Sequence, residues 1–253
     1  MPELAFSLPV YIGFALILSV GAFFRGFAGF GMALVAMPLL ILLVPPQSAI
    51  LALMVVQIVL SSFDMRECLG FADRRAVFLL AVAAFLGTPI GLIAIGFVPL
   101  YMAQIIIGAI AGAAALVLFF RFSLKSDMGM VSTALVGFLS GLFGGLAAAP
   151  GPPVVAYFLA RKISPREKRA SMILLFAIMA VFALLTAAAR GTLNLDIILL
   201  GLISSPVCYA GSALGAACFR RGSDDGYRVL ALAAMEFSAL FSIALGLYGG
   251  FGG

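Results

Sequence analysis

The 253-residue chain is 64% hydrophobic and only 10% charged, whereas about 25% of the residues in a typical soluble domain are charged. A soluble core cannot absorb this much apolar surface, so the composition excludes an ordinary soluble enzyme and indicates a membrane protein. The chain has no histidine, and its three cysteines (Cys68, Cys208 and Cys218) form no CxxC pair. A Cys/His zinc site is therefore excluded, and we expect no metal or cofactor. The net charge of +5 comes from basic residues in short loops between apolar runs, which argues against nucleic-acid binding.

Ten apolar segments follow one another along the chain. Each is a run of mainly apolar residues and not an alternating pattern, as a membrane-spanning helix requires. The second, sixth and seventh are short and interrupted by Gly or Pro, so we expect them to cross only part of the bilayer. The predicted fold is all-α and polytopic, with about eight to ten transmembrane or half-membrane helices and Gly/Pro-broken helices at mid-membrane. The segments are Phe6–Phe24, Ala28–Val44, Ser48–Phe63, Ala76–Phe97, Met102–Phe120, Met130–Phe143, Ala147–Ala160, Ser171–Ala189, Ile197–Phe219 and Val229–Tyr248.

The two halves of the chain resemble each other. At a spacing of 115 residues, the glycine-rich stretch Phe24–Phe30 lies beside Leu139–Gly145. A second pair of similar stretches, Gly87–Gly91 and Gly211–Gly215, follows in the same order. Each match is weak alone, because glycine is common here, but their shared order indicates a duplication. Segments one to five then correspond to segments six to ten.

The basic residues are concentrated in the loops that follow the odd-numbered segments. Cytoplasmic loops collect Lys and Arg, so we expect these loops to face the cytoplasm and both termini to face the periplasm. The two repeats, residues 1–126 and 127–253, then start on opposite sides of the membrane. Such inverted repeats are typical of secondary transporters. These loops contain thirteen of the basic residues: Arg66, Arg74, Arg75, Arg121, Lys125, Arg161, Lys162, Arg166, Lys168, Arg169, Arg220, Arg221 and Arg228.

Two glycine-rich stretches are the first candidates for a binding site. We expect breaks in the helices at both stretches, with Ala147–Pro153 extending the second, because proline removes backbone donors. A broken helix survives in a membrane where it lines a polar cavity, and a helix that starts at a break directs free N–H groups into it. Two facing breaks would form a cradle for an anion. The alternative is close packing of helices through small residues. The candidate residues are Gly26, Gly29, Phe30 and Gly31 in the first stretch, and Gly141, Gly144 and Gly145 in the second.

Arg25 lies at the first break and has no charged neighbour in the sequence. A charge within a membrane segment is costly and commonly functional, and the guanidinium fork suits oxyanions. The alternative is an arginine that snorkels to the interface and fixes topology. The 115-residue spacing pairs Arg25 with Ser140. We include Ser140, Thr88 and Ser205 among the candidate substrate-binding residues because each neighbours a Gly/Pro break.

Glu236 is the one acidic residue deep within a predicted segment. Burial favours the protonated carboxyl group, which suits a proton-coupling site. The alternatives are a neutral glutamic acid hydrogen-bonded between helices and an ion pair with Arg25. In contrast, we interpret the charged stretch Arg161–Arg169 as a solvated cytoplasmic turn.

The two glycine-rich breaks, each followed by a proline (Pro38 and Pro153), resemble the signature of the sulfite exporter TauE/SafE family, also called the sulfonate uptake permease family or domain-of-unknown-function family 81. The resemblance covers essentially the whole chain in length, duplication and segment count. The second copy departs from the family pattern in Ala147–Pro153. The resemblance implies a protein of the bacterial inner membrane that moves sulfur-containing anions such as sulfite, thiosulfate or organosulfonates, usually outward.

The expected function is therefore a secondary transporter of small sulfur-containing anions that works by alternating access and is a candidate for proton coupling. The alternatives are a passive anion channel and a transporter of a non-sulfur organic anion. An intramembrane enzyme is disfavoured, because the segments contain no nucleophile–base pair and no paired acids. A structural subunit would have no need for duplicated breaks. The expected partners are the anion and the lipid bilayer, with a homodimer left open.

Overall fold

A computed structural model of the chain describes residues 6–120, 128–220, 236–237 and 239–249. Within these ranges the chain consists of helices joined by short turns, and it contains no strand. The start of the tenth predicted segment, both termini and the boundary between the predicted repeats lie outside the described residues. The helices are α1 (Leu8–Ala28), α2 (Met32–Leu40), α3 (Pro46–Phe71), α4 (Arg74–Ile95), α5 (Leu100–Phe119), α6 (Met130–Ala147), α7 (Gly151–Ala160), α8 (Pro165–Ala189), α9 (Leu195–Arg220) and α10 (Ala239–Gly249).

Six of these helices are long and apolar enough to cross a membrane: α1, α3, α4, α6, α8 and α9. At 1.5 Å per residue they span roughly 27–39 Å, which matches a hydrocarbon core of about 30 Å. The all-α, polytopic fold predicted from the sequence is confirmed. The helices α2 and α7 have only 9 and 10 residues and reach about half as far, as predicted. The prediction that the sixth segment is short is wrong, because α6 runs unbroken for 18 residues.

Helix α8 begins earlier than the hydropathy indicates. The Ser164 side chain accepts a hydrogen bond from the Glu167 backbone N–H at 3.2 Å, and Pro165 occupies the first helical position. The Ser-x-x-Glu spacing is that of a capping box, which starts a helix regardless of charge. The interpretation of Arg161–Arg169 as a solvated turn is therefore wrong for its second half. Arg169 lies in the first turns of α8 and is buried, with a relative exposure of 5%.

Helices α1 and α9 pack side by side through glycines. A Cβ atom added at Gly211 would collide with the Ser19 carbonyl oxygen, and one added at Gly215 would collide with that of Phe23. Both contacts advance by four residues in the same direction, so the two helices run parallel. Glycine is required at these positions because backbone approaches backbone.

Helices α4 and α6 repeat this arrangement. A Cβ atom at Gly87 would collide with the Phe138 carbonyl oxygen, and one at Gly91 would collide with that of Leu142. This pair is also parallel. The two glycines of α4 therefore contact α6 in the manner in which the two glycines of α9 contact α1.

The packing also determines how the two halves align. A Cβ atom at Gly26 would meet the Ser212 carbonyl oxygen, and one at Gly145 would meet that of Thr88. Gly26 and Gly145 therefore have equivalent surroundings, and they lie 119 residues apart. The sequence alignment at a spacing of 115 residues is displaced by one helical turn, because glycine recurs every one to five residues in both stretches and several alignments match glycine to glycine.

The packing alignment gives Arg25 a different equivalent residue in the second half of the chain. The predicted alignment pairs Arg25 with Ser140, but the packing alignment pairs it with Gly144. The second half of the chain therefore has no side chain at the position of the buried arginine. This difference between the halves bears directly on the binding site.

We predict that Gly215→Ala destabilises the protein by about 2 kcal/mol, because the added methyl group must displace the α1 backbone at Phe23. Gly70→Ala is the matched control, since a Cβ atom there meets nothing within 4 Å and alanine favours the helix. Thermal unfolding of the purified protein in detergent measures both changes. Equal melting temperatures for the two variants would contradict the packing assigned to α1 and α9.

Candidate functional site

The first predicted break is present between α1 and α2. Helix α1 ends at Ala28, and Gly29 and Gly31 adopt positive φ angles of 84° and 101°. Only glycine takes up such angles without strain, so these two residues allow the chain to turn back within the membrane. Gly26, in contrast, is an interior residue of α1, where it packs against Ser212. Gly26 therefore follows the alternative interpretation, close packing of helices through small residues.

The second break is present but lies later than predicted. Helix α6 continues through Gly141, Gly144 and Gly145 and ends at Ala147, and Ala148 then takes a positive φ of 53°. The prediction that Gly141–Gly145 forms the break is wrong. Gly141 and Gly145 instead allow close approach to the α4 backbone. The break consists of residues 148–150, within the stretch that the sequence marked as an extension.

A small cavity of about 30 Å³ lies between the two breaks, enough for about two water molecules. We call it the inner cavity. Most of its wall is apolar, and its polar side chains are those of Arg25 and Gln57. The lining residues are Arg25, Phe30, Gly31, Met32, Ala33, Leu34, Leu53, Met54, Gln57, Ala148, Ala149, Pro150, Gly151, Phe176 and Met179.

The two helices that start at this cavity do not contribute equally. Helix α2 begins without a side-chain cap, so the N–H groups of Met32, Ala33 and Leu34 have no partner within the helix. Helix α7 begins Gly151-Pro152-Pro153, and proline has no N–H. Backbone donors therefore come mainly from α2, and the predicted symmetrical cradle is one-sided.

Arg25 is buried, with 1% relative exposure, and reaches four side chains. Its Nε donates to Gln57 Oε1 at 3.1 Å, and its Nη2 donates to Ser61 Oγ at 2.9 Å. Its Nη1 donates to Asp64 Oδ2 at 2.9 Å and to Ser212 Oγ at 3.2 Å. This guanidinium is enclosed by α3 and α9, so the alternative of an arginine that snorkels to the interface does not describe it.

Asp64 is the residue that sequence reasoning missed. The predicted third segment ends at Phe63, but α3 continues to Phe71, so Asp64 lies within the helix. A signal was available in the spacing of Gln57, Ser61 and Asp64. Residues at i, i+4 and i+7 share one helix face, and three polar groups on one face of an apolar helix indicate a buried polar partner.

The second half of the chain lacks this polar cluster. Helices α3 and α8 both begin at a proline, Pro46 and Pro165, which are again 119 residues apart. At that spacing Gln57, Ser61 and Asp64 correspond to three apolar residues. These are Phe176, Ala180 and Ala183, all three buried.

The predicted hydroxyl residues lie in helices and do not line the inner cavity. The Thr88 and Ser140 side chains are fully buried, and their hydroxyl oxygens have no hydrogen-bond partner among the described residues. The Ser205 hydroxyl donates to the Gly201 carbonyl at 2.8 Å. The expectation that Thr88 and Ser205 neighbour breaks is wrong, because α4 and α9 continue through Pro89 and Pro206.

Glu236 is half-buried and lies in a helical stretch just before α10. The Arg25–Glu236 ion pair considered from the sequence is not formed, because the carboxylate that pairs with Arg25 is that of Asp64. A role for Glu236 in proton coupling stays a prediction.

The fold and site define a multi-pass membrane protein whose interrupted helices enclose a small cavity with one buried arginine. The chain matches the sulfite exporter TauE/SafE family over residues 13–253 and belongs to that family, which is a family of exporters. It is 25% identical over 214 residues to the probable sulfite/organosulfonate exporter TauE of Cupriavidus necator, a match that covers 81% of this chain and 82% of the relative. No solved structure matches the chain.

We predict that Asp64→Ala lowers the free energy of unfolding by about 3 kcal/mol, because the buried Arg25 keeps its charge without a counter-charge. Adding Arg25→Met removes that charge, so the double variant regains most of the loss. Thermal unfolding of the wild type, both single variants and the double variant completes the cycle. Strictly additive losses would contradict the coupling between the two residues.

We predict that Thr88→Val raises the free energy of unfolding by about 1 kcal/mol, because valine keeps the shape and removes a buried hydroxyl for which the described residues offer no partner. Ser212→Ala is the matched control at the equivalent position of α9. It should lower stability, since the Ser212 hydroxyl accepts from Arg25. A loss of transport without a loss of stability in Thr88→Val would instead support the predicted contact of Thr88 with substrate.

Proposed function

We propose that this protein is a secondary transporter that exports a small sulfur oxyanion by alternating access. The observation that carries the proposal is the inner cavity, which lies between two helix breaks and is bordered by Arg25. Family membership supports the same function, since the relative from Cupriavidus necator is named a sulfite/organosulfonate exporter.

The substrate anion is held by the first turn of α2 and by Arg25. A guanidinium has five N–H donors, and the four hydrogen bonds of Arg25 leave one of them on Nη2. The amides at the start of α2 add dipoles that favour negative charge. Gly29, Phe30 and Gly31 shape this wall, whereas Gly26, Gly141 and Gly145 act through helix packing and Gly144 lies beside Pro150.

Asp64 acts as the internal counter-ion of the empty site. Its carboxylate neutralises Arg25, so bound hydrogensulfite adds one uncompensated negative charge and a dianion such as thiosulfate adds two. Each proton taken up by a nearby carboxylate offsets one of these charges and couples transport to protons. Asp64 is the candidate closest to Arg25, and Glu236 is the candidate that the sequence analysis named.

Alternating access rests on two inverted halves, which we propose to be residues 1–126 and 127–253. The parallel pair α1 and α9 and the parallel pair α4 and α6 have equivalent glycine contacts, which supports the duplication. The start of α8 contacts the end of α1 through Arg169 and Gly26, and its Ser171 accepts from the Asp73 N–H at the start of α4, so the two pairs run in opposite directions. Rocking of one pair against the other opens the cavity to either side. The arginine-rich end faces the cytoplasm and the termini face the periplasm of a bacterial inner membrane.

The size of the inner cavity favours the smallest members of the substrate class. A space of about 30 Å³ suits a compact anion and leaves no room for a long organic chain. Sulfite is therefore our first choice, with thiosulfate next. Organosulfonates require a wider open state.

We predict that wild-type protein in proteoliposomes catalyses sulfite counterflow, and that Arg25→Gln lowers its rate at least about tenfold through loss of one charge-assisted contact. Arg190→Gln is the matched control, because it removes the same charge from the exposed turn after α8. Thermal unfolding of both variants separates transport from folding. Flux that does not saturate would indicate a channel, and counterflow of carboxylates alone would indicate a non-sulfur substrate.

A further inference from the structure

A second pocket opens at the arginine-rich end of the helices. It has a volume of about 190 Å³, roughly six times that of the inner cavity. We call it the outer pocket. It is formed where α3, α8 and α9 meet, and it is lined by Glu67, Arg166, Arg169, Ala216, Phe219 and Arg220.

The outer pocket has an excess of positive charge. Its lining contains three arginines and one carboxylate, so two positive charges are uncompensated within the lining. Glu67 accepts from Arg166 Nε at 2.9 Å and lies 3.7 Å from Arg169 Nη1. Arg220 forms no ion pair with any residue that the structure describes. A cluster of this kind attracts oxyanions, since guanidinium groups bind them through paired hydrogen bonds.

Arg169 is held in a fixed position in the wall of the pocket. It is 5% exposed, and its Nε donates to the Gly26 carbonyl oxygen at 2.9 Å. Its guanidinium also lies 5.6 Å from the centre of the Phe219 ring. A buried and oriented arginine binds an anion with little loss of side-chain entropy.

The outer pocket adjoins the inner cavity through the first break. Arg169 bonds the carbonyl of Gly26, the residue after Arg25, and it packs on Gly29. On α3, Glu67 of the outer pocket is one helical turn from Asp64, the partner of Arg25. Arginine and carboxylate groups thus continue from the outer pocket to the inner cavity.

We propose that the outer pocket is a second oxyanion site, in which a dissolved sulfur oxyanion binds before it moves to Arg25. This proposal rests on the proposed function and adds the route by which substrate reaches the inner cavity. Arg166, Arg169 and Arg220 hold the anion, and Glu67 orients Arg166 and Arg169. The phosphate of an anionic lipid headgroup has the same chemistry, so the test includes both sources.

The chain contains no tryptophan, so Phe219→Trp introduces a single tryptophan in the wall of the outer pocket, and excitation at its red edge avoids the six tyrosines. Titration with sulfite in neutral phosphatidylcholine vesicles should change its emission saturably. Arg220→Gln in this background should raise the apparent Kd by about tenfold, the loss expected for one charge-assisted hydrogen bond. Lys168→Gln removes the same charge one residue from Arg169 and does not line the pocket, so it should leave the Kd unchanged. Phe71→Trp, beneath the Arg166 guanidinium, provides a second reporter if Phe219→Trp unfolds.

In neutral vesicles, three results would overturn the proposal: no saturable change with either reporter, an equal effect of Lys168→Gln, or loss of the signal on Arg25→Gln. The last result would mean that the fluorophore senses the inner cavity. A signal that follows the phosphatidylglycerol content of the vesicles and ignores sulfite would assign the pocket to a lipid headgroup and also overturn it. Saturable, Arg220-dependent binding without any counterflow would support the outer pocket and refute the proposed transport function.

Discussion

The buried charge of Arg25 is the constraint on which the rest of this structure depends. A guanidinium within a membrane protein is tolerated only when protein groups replace water around it. Helix α3 supplies Gln57, Ser61 and Asp64, and α9 supplies Ser212. These bonds tie α1, α3 and α9 together next to the point where α1 breaks. The same residue therefore orders the helices and provides the positive charge at the inner cavity.

A common scaffold supports two halves that differ in chemistry. Glycine contacts of equivalent geometry pack α9 on α1 and α4 on α6, but only the first half has the polar cluster. Gly144 stands at the position equivalent to Arg25. Thr88 stands at the position equivalent to Ser212, and its hydroxyl has no hydrogen-bond partner within the described part of the chain. The prolines at the start of α7 remove donors that α2 retains. The first half thus places its charged and polar side chains at the inner cavity, and the second half contributes an apolar wall.

The inner cavity and the outer pocket suit successive steps of one process. The outer pocket is wide and has three arginines, so it can collect anions from solution. The inner cavity is small and largely apolar, so in the proposed function the anion enters it only after losing its hydration water. Asp64 neutralises Arg25, and Glu67, one turn away on α3, offsets one of the three arginine charges of the outer pocket. This arrangement limits the cost of burying positive charge while no substrate is bound.

The sequence by itself determined the membrane class, the all-helical fold, the short second and seventh helices and a first break within Gly26–Gly31. These features depend on hydropathy and on backbone limits of Gly and Pro, which are local. Only the tertiary structure decided the Arg25–Asp64 pair, the burial of Arg169 and the position of the second break. Arg25 meets Ser212, 187 residues away, and no local pattern specifies which distant helix faces which. A glycine that breaks a helix and a glycine that packs against a neighbouring helix look alike in sequence, because only the position of the neighbouring backbone distinguishes them.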